Sequence, residues 1–221
     1  MCIRDRALPV VVAVGGCGPQ VAEKVKKHAE AIKVGEGMGE GVEMGPVISA
    51  KAKDRIVGLI DDAEKRGSKV VLDGRGLTVP GYENGHFLGP TVLDDVPLDA
   101  PVYTEEVFGP VLAIVHADTY EEALKIVNAQ PFGNGSAIFT NDGGVARRFT
   151  LDVEAGMVGV NVPIPTPVAF YSFGGWKESL LGDTHIHGPE GVTFYTRAKA
   201  ITERWPTEKT YAATMSFQRE E

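Results

Sequence analysis

Val111-Leu112-Ala113-Ile114-Val115, Thr119-Tyr120-Glu121-Glu122, Pro131-Phe132-Gly133 and Ser136-Ala137-Ile138-Phe139-Thr140 follow one another along the chain, and their reading decides the fold. The first is a short continuous apolar run, the pattern of a buried strand. Thr119 and Glu122 stand at capping-box spacing, so a helix is predicted over residues 121–128, with Pro131-Phe132-Gly133 as its stop. Residues 136–140 read as the next strand, 145–152 as a helix and 156–162 as a strand again. Strands alternating with helices of about ten residues predict βαβ units and a mainly parallel sheet with flanking helices. The expectation is one α/β domain running to about Gly182.

Outward from this core the alternation continues. From Pro19 onward Val21, Val25, Ala29 and Ile32 recur at helical spacing, with Lys24, Lys26, Lys27 and Glu30 on the other side. A glycine-rich loop over residues 35–45 follows. A second amphipathic helix carries Ala52, Ile56, Leu59, Ile60 and Ala63 until Gly67 ends it. Lys69-Val70-Val71-Leu72 and Thr91-Val92-Leu93 read as strands, with turn material over residues 80–90 between them. Residues 194–205 read as a long extended segment with Tyr195, Ile201 and Trp205 on one side, and a polar tail follows from Pro206. The chain carries no internal repeat and no charge block of the length that marks a disordered arm.

Composition narrows the function. The chain has 221 residues, 43% of them hydrophobic and 24% charged, which argues against disorder and against a polytopic membrane protein. Its 22 basic and 30 acidic residues leave a net charge of −8, so no overall field draws it to nucleic acid or to an anionic membrane. A small-molecule or protein partner is expected instead. Cys2 and Cys17 are the only cysteines, too few for a disulfide framework or a cysteine-rich zinc site, and in keeping with a reducing compartment. Arg4 and Arg6 before the apolar run 7–14 imitate a signal peptide, but the run is near the floor of the roughly 7–15 residues such a region needs. Secretion and lipid attachment at Cys17 are set aside on that ground. His185 and His187, with Asp183 and Glu190 nearby, lack a third ligand at familiar spacing, so a surface loop is expected and no metal. Gly35, Gly37 and Gly39 neither follow a predicted strand nor open a helix, which rejects a dinucleotide fingerprint there.

Four segments carry a resemblance. They are Glu105-Glu106-Val107-Phe108-Gly109-Pro110-Val111, Phe132-Gly133-Asn134-Gly135-Ser136-Ala137, Gly156-Met157-Val158-Gly159-Val160-Asn161 and Phe173-Gly174-Gly175-Trp176-Lys177. In order and spacing the chain resembles the aldehyde dehydrogenase superfamily from about Ala7 to Trp205. Met44-Gly45-Pro46-Val47-Ile48, Phe170-Tyr171-Ser172, Gly182-Asp183 and Phe194-Tyr195-Thr196-Arg197 make it most similar to the coenzyme A-acylating methylmalonate-semialdehyde dehydrogenase branch. That branch oxidises malonate or methylmalonate semialdehyde with NAD, releases CO2 and passes the acyl group to coenzyme A. The resemblance implies residues 1–6 as a start foreign to the family, 7–182 as a partial catalytic domain, 183–205 as a loop and oligomerisation strand, and 206–221 as a polar tail. It also implies a homo-oligomer whose terminal strand joins a neighbour's sheet, the alternative being a strand in the chain's own sheet. The compartment implied is the cytoplasm, or the mitochondrial matrix in a eukaryote.

The same resemblance assigns roles. Glu106 matches the carboxylate that binds the nicotinamide ribose, a task suited to two acceptor oxygens gripping vicinal hydroxyls; the alternative is a solvated loop carboxylate. Phe108 would lie beside the nicotinamide ring, or else pack in the core. Asn161, after a strand, falls where α/β sheets place ligands, and Phe173 would wall the aldehyde end of the substrate; each has a loop-packing alternative. Gly109 and Pro110 suit a tight turn, and Lys177 reads as solvated. The family's cysteine nucleophile would fall on Asp5, which forms no thioester. Neither Cys2 nor Cys17 stands in its context. The expectation is the carboxyl-terminal portion of such an enzyme, inactive alone. The alternatives are an aldehyde dehydrogenase, NAD- or NADP-dependent, that hydrolyses its product, or a non-catalytic chain that joins full-length subunits.

Overall fold

In a computed structural model, residues 8–165, 167–203 and 205 are described. Strand β1 (Val10–Val14) is followed by a 3-10 turn, Gly15–Cys17, and by helix α1 (Gly18–Glu30). Helix α2 (Ala50–Lys65), strands β2 (Lys69–Leu72) and β3 (Thr91–Asp94) and the short helix α3 (Pro101–Thr104) lead to β4 (Val111–Ala117). Then come α4 (Tyr120–Asn128), β5 (Phe132–Gly133), β6 (Gly135–Ile138), α5 (Gly143–Asp152), β7 (Met157–Val160), β8 (Trp176–Lys177) and α6 (Glu190–Tyr195).

The main sheet has the order β1-β4-β3-β2. β1 and β3 pair with β4 in parallel, and β2 adds an antiparallel edge, so the architecture is α/β with a mixed sheet. β6 and β7 form a parallel pair, β5 and β8 an antiparallel one. Alternation along β4 sorts its side chains between two layers. Val111, Ala113, Val115 and Ala117 face Ile56, Leu59, Ile60 and Ala63 of α2 and Ala123 and Ile126 of α4. Ile114 points the other way, into a cluster with Ala13, Val92 and Ala22 of α1. Ile56, Ile60 and Ile114 are wholly buried, each contributing about 1.5–3 kcal/mol of transfer free energy. α5 packs Phe149 against Leu124 and Val127 of α4 and Ile138 of β6.

Local chemistry explains the helix starts. Ser49 caps α2 by accepting from the Ala52 N–H, and Thr119 caps α4 by accepting from the Glu122 N–H at 3.2 Å. The Glu122 carboxylate answers by accepting from the Asp118 N–H at 2.8 Å, one residue before the cap. Asp142 caps α5 through the Gly144 and Val145 amides, which starts that helix two residues before the predicted Val145. Gly18 is required by close approach, since a Cβ there would lie 2.3 Å from the His116 ring.

One expectation is corrected. The predicted extended segment over 194–205 is helical at its start, where Phe194 and Tyr195 end α6, and no strand forms over 196–203. The described part of that segment is therefore no strand of the chain's own sheet; the expected oligomerisation strand concerns pairing with a neighbour's sheet and stays a proposal. Within the apolar run at the start, Val10–Val14 form β1. The polar tail from Pro206 lies outside the described residues.

Candidate active site

Glu106 and Phe108 lie on the loop that joins α3 to β4. Arg55, one turn into α2, reaches this loop: Nη1 donates to the Val107 carbonyl at 2.9 Å, and Nη2 donates to the Glu106 carbonyl at 2.8 Å. The same guanidinium pairs with the Glu105 carboxylate at 3.4 Å. Val107 is buried, 4% exposed, so the loop is fixed at its middle while Phe108 stands outside it, 62% exposed. Among the described residues, Phe108 is not packed in a core cluster. Its φ of 52° lies in the left-handed region, which costs a bulky residue about 1–2 kcal/mol. Gly109 is set by packing as well as by turning, because a Cβ would meet the buried Ile56 side chain at 2.6 Å.

Asn161 follows β7 and clasps Thr140, two residues after β6. Its Oδ1 accepts from the Thr140 N–H at 2.9 Å, and its Nδ2 donates to the Thr140 carbonyl at 3.0 Å. Its own N–H donates to Ile138 at 2.8 Å, and its φ is 57°. The side chain thus ties two parallel strands at their carboxyl ends, leaving one N–H and one lone pair for a ligand. β6 ends at Ile138, short of the predicted Thr140, because the clasp takes over the backbone there.

Phe173 stacks on His187, ring centroids 4.5 Å apart and planes within 4°. His185 instead meets Glu190, whose Oε2 accepts from the His185 N–H at 3.0 Å and lies 2.9 Å from Nδ1. The two imidazoles are therefore committed to different partners. Gly174 is tight against His185, where a Cβ would approach Cδ2 to 2.4 Å. Lys177 is not a solvated side chain. Its ammonium donates to the Asn128 carbonyl at 2.7 Å and the Gln130 carbonyl at 3.2 Å, where α4 ends, and pairs with Glu154 at 2.7 Å. It satisfies carbonyls that the helix leaves open and complements the helix dipole.

The structure does not gather the four candidates around one cavity. The loop of Glu106 and Phe108 stands at the amino end of β4, whereas Asn161 stands at the carboxyl end of β7. A cavity of about 620 Å³ lies elsewhere, bordered by β1, α4 and β6, and none of the four lines it. Cys17, exposed in the turn after β1, lies at its margin. Asp5, at the expected nucleophile position, and Cys2 lie outside the described residues. Among the described residues, Asp94, Asp95 and His116 bring ligand-capable atoms within 4.8 Å of one another. The Lys69 ammonium, 2.6 Å from Asp95, already answers that charge and holds the Asp95 carboxyl below its usual range. Arg55, which holds the loop of Glu106 and Phe108, is the residue that sequence reading missed. Its partners lie about fifty residues away, and nothing local to α2 signals them.

The aldehyde dehydrogenase family model matches residues 7–201. The chain belongs to the aldehyde dehydrogenase family. It is 48% identical to a malonate-semialdehyde dehydrogenase of Pseudomonas aeruginosa over 95% of its own length and 43% of the relative's. It is 45% identical to an acylating, mitochondrial methylmalonate-semialdehyde/malonate-semialdehyde dehydrogenase of Bos taurus, over 93% of this chain and 38% of that one. The fold matches a Sinorhizobium meliloti structure, assigned as a methylmalonate-semialdehyde dehydrogenase and complexed with NAD. The TM-score is 0.87 at 46% identity, covering 93% of this chain and 42% of that one. The chain spans about two fifths of the length of these relatives. No helix among its described residues is long and apolar enough to cross a membrane.

Proposed function

We propose that this chain is the carboxyl-terminal catalytic-domain portion of an NAD-dependent, coenzyme A-acylating dehydrogenase for malonate or methylmalonate semialdehyde. The observation that carries this reading is the loop fixed by Arg55, which presents Glu106 and Phe108 in a chain 48% identical to a malonate-semialdehyde dehydrogenase. The residues fit one end of NAD. Glu106 offers a carboxylate on a loop whose backbone is held by charge-assisted bonds, suited to orienting ribose hydroxyls. Phe108 offers an exposed flat face that limits where a nicotinamide ring travels. When bound, NAD supplies the hydride acceptor. Phe173, held face to face by His187, is suited to walling the aldehyde end, and the Asn161 amide retains donor and acceptor capacity for a substrate oxygen. The acyl group would pass to coenzyme A with loss of CO2, in the cytoplasm or in the mitochondrial matrix of a eukaryotic host.

By itself the chain should turn nothing over, because a carboxylate at position 5 cannot make the thioester that acyl transfer requires. The test is NADH formation from malonate semialdehyde and coenzyme A. No rate above background is expected, and a rate abolished by Cys2→Ser would overturn the inactivity. We also infer homo-oligomer formation through the exposed apolar face of α6 and the residues after it, where Tyr195, Ile201 and Trp205 are 74%, 71% and 84% exposed.

A further inference from the structure

We propose that residues 185–190 form a clamp that sets where the Phe173 ring stands, so that His187, held in place by Glu190, determines which aldehydes the site accepts without touching them. The inference rests on the reading of Phe173 as the wall at the aldehyde end, and deepens it by saying what fixes that wall.

Phe173 lies between β7 and β8, in a stretch where residues 167–175 form neither helix nor strand. Its position therefore depends on contacts from outside the stretch, and residues 185–190 supply them. The Gly188 N–H donates to the Ala169 carbonyl at 3.1 Å, and the Glu190 N–H donates to the Ser172 hydroxyl at 3.2 Å. Between these two bonds backbone lies directly on backbone. At Gly188, where φ is 65°, a Cβ would overlap the Ser172 nitrogen and the Tyr171 carbonyl carbon, so only glycine fits. His187 then covers one face of Phe173, with ring centroids 4.5 Å apart and planes within 4°. The His185 ring packs so closely on Gly174, the next residue, that a Cβ there would overlap it.

The clamp is also closed on itself. Glu190 Oε2 accepts from the His185 N–H at 3.0 Å and lies 2.9 Å from His185 Nδ1, so one carboxylate ties both ends of the segment that carries His187. His185 Nε2 is buried with no hydrogen-bond partner among the described residues. That imidazole thus meets a polar partner through Nδ1 and otherwise serves as packing. A phenylalanine stacked on a ring that is itself tied down has little room to move, and a fixed wall rejects a substituent by overlap. One methylene in such a pocket discriminates by roughly 10–200-fold. Malonate and methylmalonate semialdehyde differ by one methyl on the carbon next to the aldehyde, which is the scale on which a displaced wall is read.

The 221-residue chain gives the first reading. Its proton NMR spectrum should show the Phe173 ring shifted by the His187 ring current, a shift lost in His187→Ala and kept in His187→Phe. Rings that do not sense each other in the unmodified chain overturn the inference without any assay. The second reading joins the chain from Ala7 onward, in one polypeptide, to the unmatched portion of the Pseudomonas aeruginosa relative, and measures NADH formation with coenzyme A from malonate semialdehyde and from its α-ethyl analogue. His187→Ala should lower the preference for malonate semialdehyde, as a ratio of kcat/KM values, about tenfold, and His187→Phe should keep it, since the flat ring and not the imidazole nitrogens holds the wall. An unchanged preference in His187→Ala overturns the inference while leaving the reading of the site standing. A preference lost in His187→Phe as well overturns it too. Oxidation of neither semialdehyde by the folded, unsubstituted fusion overturns the reading of the site, and the clamp's role in specificity with it.

Discussion

Phe108 and Arg55 show how the loop before β4 is built against its own preference. A phenylalanine at φ 52° sits where glycine belongs, and the loop holds because three contacts from one guanidinium over-determine it. Phe108→Gly should be more stable than Phe108→Ala by about 1 kcal/mol, since only the alanine keeps a Cβ in the left-handed region. Paired urea denaturation checks this, and equal stabilities would mean that the backbone is not strained there. The motif around Glu106 was legible because its residues are contiguous. Arg55 was not, because a bond spanning about fifty residues leaves no periodic trace, and Lys177 read as solvated for the same reason. Asn161 lies between these cases: its position after a strand was visible, its clasp on Thr140 was not.

At the scale of elements, the long regular pieces announced themselves and the two-residue ones did not. α2 and α4 carry helical periodicity and side-chain caps, whereas β5 and β8 exist only because Phe132 meets Lys177 across the chain. α6 was misread because a helix of six residues has too few turns to show a period, and its alternate apolar neighbours imitate a strand. Its first residue, Glu190, tethers three segments: it accepts from His185, and its own N–H donates to the Ser172 hydroxyl at 3.2 Å. The His185 backbone N–H and then its ring hold the Glu190 carboxyl below its ordinary value of 4.5. A depressed carboxylate contributes stability that is fully present above its unfolded value and is lost as pH falls through the folded one. Stability measured by urea from about pH 6 down to pH 3 should therefore fall on the acid side, and Glu190→Gln should flatten that fall. An unchanged slope would show that the tether is not electrostatic.

At the scale of the molecule, the chain exposes more than a self-contained domain of its size would. Its accessible surface is 15314 Å², against about 9,800 Å² expected for a compact 23.6 kDa protein. The excess is larger than the residues outside the description could add even at the roughly 155 Å² per residue of an unfolded chain. Leu181, Val192, Tyr195, Ile201 and Trp205 are all at least 70% exposed, so apolar groups make up part of that surface. An exposed apolar area of this kind drives association in water at about 25 cal/mol per Å² covered, less the cost of immobilising the partners. Tyr195→Asp, Ile201→Asp and Trp205→Asp together place three carboxylates on it without touching the buried clusters around Ile56, Ile114 and Phe149. Sedimentation velocity should show the native chain self-associating and the triple variant monomeric, with circular dichroism unchanged. If both sediment alike as monomers, the surface around α6 has no affinity for its own copy. If both associate alike, the contact lies elsewhere on the molecule.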